Sequence, residues 1–187
     1  MQNSLRLSNQ FLIAMPSLND TNFSRSVTYI CQHDEHGALG IVINQPLELT
    51  LGDVLNDLEL ATDHDTVHNS SVFLGGPVQC ERGFVLHQPI GEWEATLNIS
   101  DEIGLTASRS ILAAIAEGKG PKNNIVVLGY AGWGAGQLEQ EMLANSWLSG
   151  PANSEIIFNL PVEQRWQAAA THAGVDITRL SGDVGHA

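Results

Sequence analysis

Asn123-Asn-Ile-Val-Val-Leu-Gly-Tyr-Ala-Gly-Trp-Gly-Ala-Gly136, followed by Gln137-Leu-Glu-Gln-Glu-Met-Leu-Ala-Asn-Ser-Trp-Leu148, is the stretch whose reading decides the fold. Residues 125–128 are apolar and mostly β-branched, which predicts a central strand buried on both faces. Gly129, Gly132, Gly134 and Gly136 come next, and then a helical pattern begins. A strand that feeds a helix through a glycine-rich turn is a common way to build a site, because glycine allows positive φ and close approach to the backbone. On a wheel started at Ala135, Leu138, Met142 and Leu143 complete an apolar arc, with Glu139 inside it and Glu141 at its rim. A carboxylate in that arc needs hydrogen bonds or a cation, or takes a raised pKa. Two roles stay open for Glu139: a general acid or base at the turn, or a structural carboxylate bonded to backbone N–H groups or a Trp indole.

Working outward, residues 10–15 predict a strand stopped by Pro16, and residues 17–24 a loop. Residues 26–33 and 38–44 predict a hairpin turning through Asp34-Glu35-His36-Gly37, with Val27, Tyr29, Cys31 and His33 on one face of its first arm. Thr50 is placed to cap a helix reaching Leu58, with Asp53 in the first turn. Residues 61–71 are polar and acidic and predict a loop. Short strands at 72–74 and 83–87 flank a second glycine-rich segment, Gly75-Gly-Pro-Val-Gln-Cys-Glu-Arg82. Its Gly75 and Gly76 could bring backbone N–H groups to an anion paired with Arg82, or simply make a turn. A strand at 95–99 leads to a helix from Ala107 that ends at Gly118. A last strand at 154–158 and a helix from Pro161 to Gly174 follow, with Leu180 anchoring the tail.

Strands outnumber helices, the early strands look hairpin-connected and the helices arrive late, so the pattern predicts α+β with a mainly antiparallel or mixed sheet. The 187 residues carry no repeat and no linker, which predicts a single domain over 1–187. The net charge is −13, and the eight basic residues are scattered. That disfavours direct nucleic-acid binding and attachment to an anionic membrane. Residues 1–18 lack the pattern of a signal peptide, no segment is apolar for long enough to span a bilayer, and the expected address is the cytoplasm. Cys31 in a strand and Cys80 in a loop read as reduced thiols.

No G-x-S-x-G elbow, Walker A loop or H-E-x-x-H motif is present, and residues 132–136 do not fit the G-x-G-x-x-G fingerprint. The expectation is therefore no nucleotide and no other cofactor. His33 with Asp34, Glu35 and His36 has metal-ligand residue types but the composition of a solvated hairpin tip, and His64 with His68 reads as loop, so no metal site is expected.

Four segments together resemble the AlgH/YqgE family of bacterial proteins. They are residues 11–18 with Asp20, Phe23 and Ser26-Val27; residues 37–46; Gly75-Gly-Pro-Val78 with residues 82–87; and Gly129-Tyr-Ala-Gly-Trp133 with Gly136-Gln-Leu-Glu139, Glu141 and Trp147-Leu148. The terminal Gly185-His186-Ala187 fits too. The resemblance implies an α+β fold with a flattened, partly closed, barrel-like mixed or antiparallel sheet flanked by helices. One branch of the family carries the label of a transcriptional regulator, and the family supplies no agreed catalytic residues.

Two functions in different classes follow. The first is a non-catalytic regulator that binds a small molecule or a protein partner and acts on transcription indirectly, if at all. The second is an enzyme with Glu139 or Glu141 as acid or base, His33 or His87 assisting, in a cleft made by the glycine-rich loops. Gly75, Gly76, Arg82, Tyr130, Gly132 and Trp133 are the ligand-binding candidates for either, with the aromatic pair able to floor a pocket.

Overall fold

The computed structural model describes residues 6–18, 23–177 and 179. Asp20, the Leu180 anchor and the terminal Gly185-His186-Ala187 lie outside the described residues. The backbone clusters into two units, one made of residues 1–44 and 131–187 and the other of residues 45–130.

The first unit opens with β1 (Gln10–Ala14), β2 (Val27–Asp34) and β3 (Gly37–Val42). β2 and β3 form the expected hairpin, with Asp34 opposite Gly37 across a turn at Glu35-His36. Gly37 has φ +139°, and a Cβ there would run into the Trp133 carbonyl, so glycine is required at that corner. The second unit holds β4 (Pro46–Thr50), α1 (Leu51–Asp57), α2 (Asp65–His68), β5 (Ser71–Leu74), β6 (Val78–Gln88), β7 (Thr96–Asn98), β8 (Gly104–Thr106) and α3 (Arg109–Ala116). β9 (Asn123–Gly134) belongs to the second unit up to Tyr130 and to the first from Ala131. The first unit then adds α4 (Gln137–Leu143), β10 (Trp147–Pro151), α5 (Ser154–Phe158), a 3-10 turn (Val162–Gln164) and α6 (Arg165–His172).

Within the first unit the sheet order is β10-β1-β2-β3 followed by the end of β9, antiparallel throughout. Its core gathers Leu12, Ile30, Ala131, Trp133, Leu138 and Trp147. α6 lies on β1, β2 and β10, where the Trp166 indole donates to the Ala14 carbonyl at 3.0 Å. The buried Arg165 guanidinium donates to the carbonyls of Leu160 and Ile43, which lets a cation sit inside without an orphaned donor. In the second unit the order is β4-β5-β9-β6-β8-β7, with β5 and β9 parallel and the other pairs antiparallel. Leu51, Leu55, Val85, Ile111, Ile115 and Val126 fill its core. Thr50 caps α1 as expected, in a reciprocal capping box with Asp53. The class is therefore α+β with a mixed sheet, as the pattern predicts. Among the described residues no helix is long and apolar enough to cross a membrane.

Several sequence expectations are corrected. The run after Leu128 is not a turn: β9 continues through Gly129, Gly132 and Gly134, and only Ala135 and Gly136 separate it from α4, with Gly136 at φ 75° as the cap residue. β6 starts at Val78, so Cys80, Glu81 and Arg82 are strand rather than loop residues. Residues 154–158 are helical, because the Asn153 side chain accepts the Ile156 N–H at 3.1 Å and caps a turn where a short apolar run alone suits either structure. A short helix, α2, interrupts the expected loop at 61–71, and β4, β8 and β10 lie where the sequence pattern assigns no strand. Both cysteines are free thiols, Cys31 buried and Cys80 exposed.

The glycine at 129 shows why the strand continues. Gly75 donates its N–H to the Leu128 carbonyl at 2.8 Å, and a Cβ on Gly129 would stand 2.5 Å from the Gly76 carbonyl oxygen and 3.1 Å from that of Val78. With φ at +77° as well, any side chain there is both strained and blocked by backbone. Gly129→Ala is expected to destabilise the protein by about 2 kcal/mol or more, from the usual cost of such a backbone position plus the clash. Urea unfolding of the purified variant measures it, and a loss below about 0.5 kcal/mol would remove the packing argument.

Candidate functional site

In the first unit, His33 stands near the end of β2 after a register shift between Ile30 and Gln32. A bulge of this kind breaks the two-residue alternation, so the face inferred from Val27, Tyr29 and Cys31 does not carry through to His33. The imidazole is 2 % exposed, and its Nε2 lies 2.6 Å from Glu139 Oε1 on α4. Its Nδ1 accepts the Leu7 N–H at 3.0 Å, which places the ring hydrogen on Nε2, where it is donated to the carboxylate. The His33 backbone N–H donates to Ser8 Oγ at 2.9 Å. Both ring nitrogens are thus occupied, and the pair ties the segment at Leu7 and Ser8 to β2 and α4.

Glu139 is not sunk in an apolar arc: its side chain is 39 % exposed, and Leu143 from the same arc faces solvent, while Leu138 carries the burial. Of the outcomes open to that carboxylate, it takes hydrogen bonds. Its pKa is held below the ordinary 4.5 chiefly by its own backbone N–H; partial burial opposes this, and the His33 ring adds to the lowering. Glu141 takes the indole role imagined for its neighbour. Its Oε1 accepts the Nε1–H of Trp133 at 3.3 Å and of Trp147 at 3.1 Å, and Phe23 packs against both rings. Gly132 pairs with Leu39 across β3 and β9.

In the second unit, Gly75 and Gly76 are packed on β9 through the contacts that exclude a side chain at Gly129. Tyr130 meets Phe84 edge-on at 6.0 Å. His87 is buried, with Nδ1 3.0 Å from the Pro89 carbonyl and Nε2 2.7 Å from Thr106 Oγ1, which is itself 2.6 Å from Thr96 Oγ1. Burial pushes its pKa down, against the pull of the Pro89 carbonyl. Arg82 lies over the Phe84 ring at 5.2 Å and reaches Gln79 Oε1 at 3.5 Å.

Arg82 also borders a cavity of about 380 Å³ contained in the second unit. Leu49, Val54, Leu58, Leu112, Val126 and Leu128 make its apolar wall, and Asp57, Glu81, Arg82, Ser108 and Arg109 supply charge and polarity. Arg109 begins α3 and donates from Nη2 to the Leu58 carbonyl at 2.7 Å. Sequence reasoning found Arg82 and missed Arg109, Asp57 and Ser108. One signal for Arg109 was available: a cation in the first turn of a helix opposes the macrodipole, so its place there asks for another reason. Among the described residues no three His, Cys, Asp or Glu side chains converge to hold a metal ion.

Two measurements check this description. His33→Ala leaves the buried Leu7 N–H without its acceptor and should cost about 1–3 kcal/mol in urea unfolding. A loss near zero would mean the tether carries nothing. The depressed carboxyl of Glu139 makes the unfolded chain the stronger proton binder in acid. Its contribution is complete above the ordinary value of 4.5 and disappears as pH falls through the lowered value. Urea midpoints recorded from pH 7 to pH 3 should therefore decline less steeply for Glu139→Gln than for the parent protein. Parallel curves would contradict the assignment.

Comparison with known proteins places these features in a family. The family model described as DUF179: AlgH-like matches residues 11–178. A UPF0301 protein of Nitrosococcus oceani is 58 % identical over 179 residues, covering 96 % of each chain, and one of Thioalkalivibrio sulfidiphilus is 56 % identical over 187 residues, covering 100 % of each. The solution structure of the AlgH protein from Pseudomonas aeruginosa matches with a TM-score of 0.81 at 44 % identity, over 100 % of this chain and 99 % of that one. A crystal structure of a Corynebacterium diphtheriae protein has a TM-score of 0.76 at 16 % identity, covering 97 % and 94 %, and shares the fold. The match over nearly the full length, on the segments that build both units, makes this chain a member of the AlgH-like family.

Proposed function

We propose that the protein is a non-catalytic regulator of the cytoplasm that responds to a small molecule bound in the cavity of its second unit. The observation that carries this reading is the cavity itself: an apolar wall with a few polar groups at about 380 Å³ falls in the size range of small-molecule sites. The state of the acid and base candidates supports it from the other side. His33 has both ring nitrogens in use, and Glu141 Oε1 is shared by two indoles. His33 is thereby left without a free ring nitrogen for proton transfer to a substrate. The net charge of −13 favours regulation through a partner over direct contact with DNA. An exposed free thiol at Cys80 suits a reducing compartment.

A thermal-shift screen of the purified protein against common metabolites, run beside Ala107→Trp, tests the reading, because the indole would fill the cavity from its lining. A ligand at ~100 times its Kd should stabilise the parent by about 2.7 kcal/mol and the filled variant much less. The compound should be recovered unchanged after prolonged incubation. Turnover of the compound would replace this reading with the enzymatic one, and equal stabilisation of the filled variant would move the site elsewhere.

A further inference from the structure

The cavity that the proposed function rests on has a charge arrangement that narrows its ligand. Two of the chain's eight basic residues, Arg82 and Arg109, border it, together with two carboxylates, Asp57 and Glu81. Among the described residues none of the four forms an ion pair. Arg109 uses one guanidinium N–H on the Leu58 carbonyl and Arg82 one on Gln79, and a guanidinium has five to give, so each keeps donors unspent. At the start of α3 the Ser108 side chain makes no capping bond and lies instead 2.9 Å from Ser110 Oγ.

We infer that the ligand is a small zwitterion with an apolar body, of the class of an α-amino acid with a branched aliphatic or aromatic side chain. The argument is one of elimination by charge. An anion with no cation would gain the two guanidinium groups but meet Asp57 and Glu81 within a chain already at −13. A simple cation would meet the guanidinium pair. A neutral apolar molecule would cover the wall and leave the four charged groups, which stand exposed at the cavity's edge, without a partner on the ligand. A zwitterion offers a carboxylate to the arginine forks and an ammonium to the carboxylates, while its side chain lies against Leu112, Val126 and Leu128.

The test is a titration of the 15N-labelled full-length protein, followed by amide shifts, with three probes of one skeleton. They are L-leucine, its N-acetyl derivative, which keeps only the negative charge, and its amide, which keeps only the positive one. L-leucine should shift the amides around Val126, Leu128 and Arg109 and bind at least tenfold more tightly than either derivative. Arg109→Gln should weaken L-leucine tenfold or more and leave the amide derivative unchanged. Asp57→Asn should weaken L-leucine and leave the N-acetyl form unchanged. The variant spectra report whether each remains folded, and the two substitutions lie on different elements, so one failure to fold does not remove the test. If N-acetyl-leucine binds as tightly as leucine at the same amides, the zwitterion assignment falls and ligand binding in the cavity stands. If none of the three probes shifts a cavity amide, the zwitterion assignment is overturned; if the metabolite screen also yields no compound sensitive to Ala107→Trp, the proposed function falls with it.

Discussion

Burial of β9 is the interaction on which each hydrophobic core depends. Val126, with Ile125 and Val127 beside it, goes into the second unit's interior, and Ala131 and Trp133 go into the first unit's. A strand with that much apolar surface removed from water contributes several kcal/mol through its side chains alone. The strand can do this in each unit only because glycine at 129 accepts a backbone angle and a closeness to Gly76 and Val78 that no other residue tolerates. Local backbone chemistry at one residue thus sets what the flanking side chains can bury.

The two groups of polar side chains differ in how much hydrogen-bonding capacity they retain. In the first unit the imidazole of His33 and the Oε1 of Glu141 are taken up by Leu7, Glu139, Trp133 and Trp147. Satisfied polar networks of this kind specify one arrangement and hold it. In the second unit the cavity's charged groups keep much of their capacity, beside an apolar wall that a ligand could cover.

What was readable in the sequence follows from the range of the interactions involved. The β2–β3 hairpin, the Thr50 cap and the buried run at Ile125 to Leu128 are local, and periodicity and turn chemistry expose them. Glycines after Leu128 suggest a turn because that is what glycine most often signals, whereas here one of them answers a steric demand from Gly76, far away in sequence. Ile156-Ile157-Phe158 is too short for its apolar pattern to separate strand from helix, and the Asn153 cap settles it. The pairing of His33 with Glu139 joins residues 106 positions apart, and the bulge beside Cys31 changes which residues share its face, so neither pattern nor spacing exposes it. Arg82 stands beside a glycine-rich segment that marks it in the sequence, whereas Arg109 lies in a helical pattern that carries no such mark.

The two thiols differ in a way that gives the protein a chemical handle. Cys31 is sealed within β2, and burial pushes its pKa up, so its sulfur stays protonated and out of reach. Cys80 faces solvent on β6, two residues before Arg82. An alkylating dye or spin label therefore has a single attachment point on the folded chain, on the same strand as the cavity's edge. The second thiol becomes available only when β2 comes apart, so one reagent can mark occupancy near the cavity and count unfolded chains.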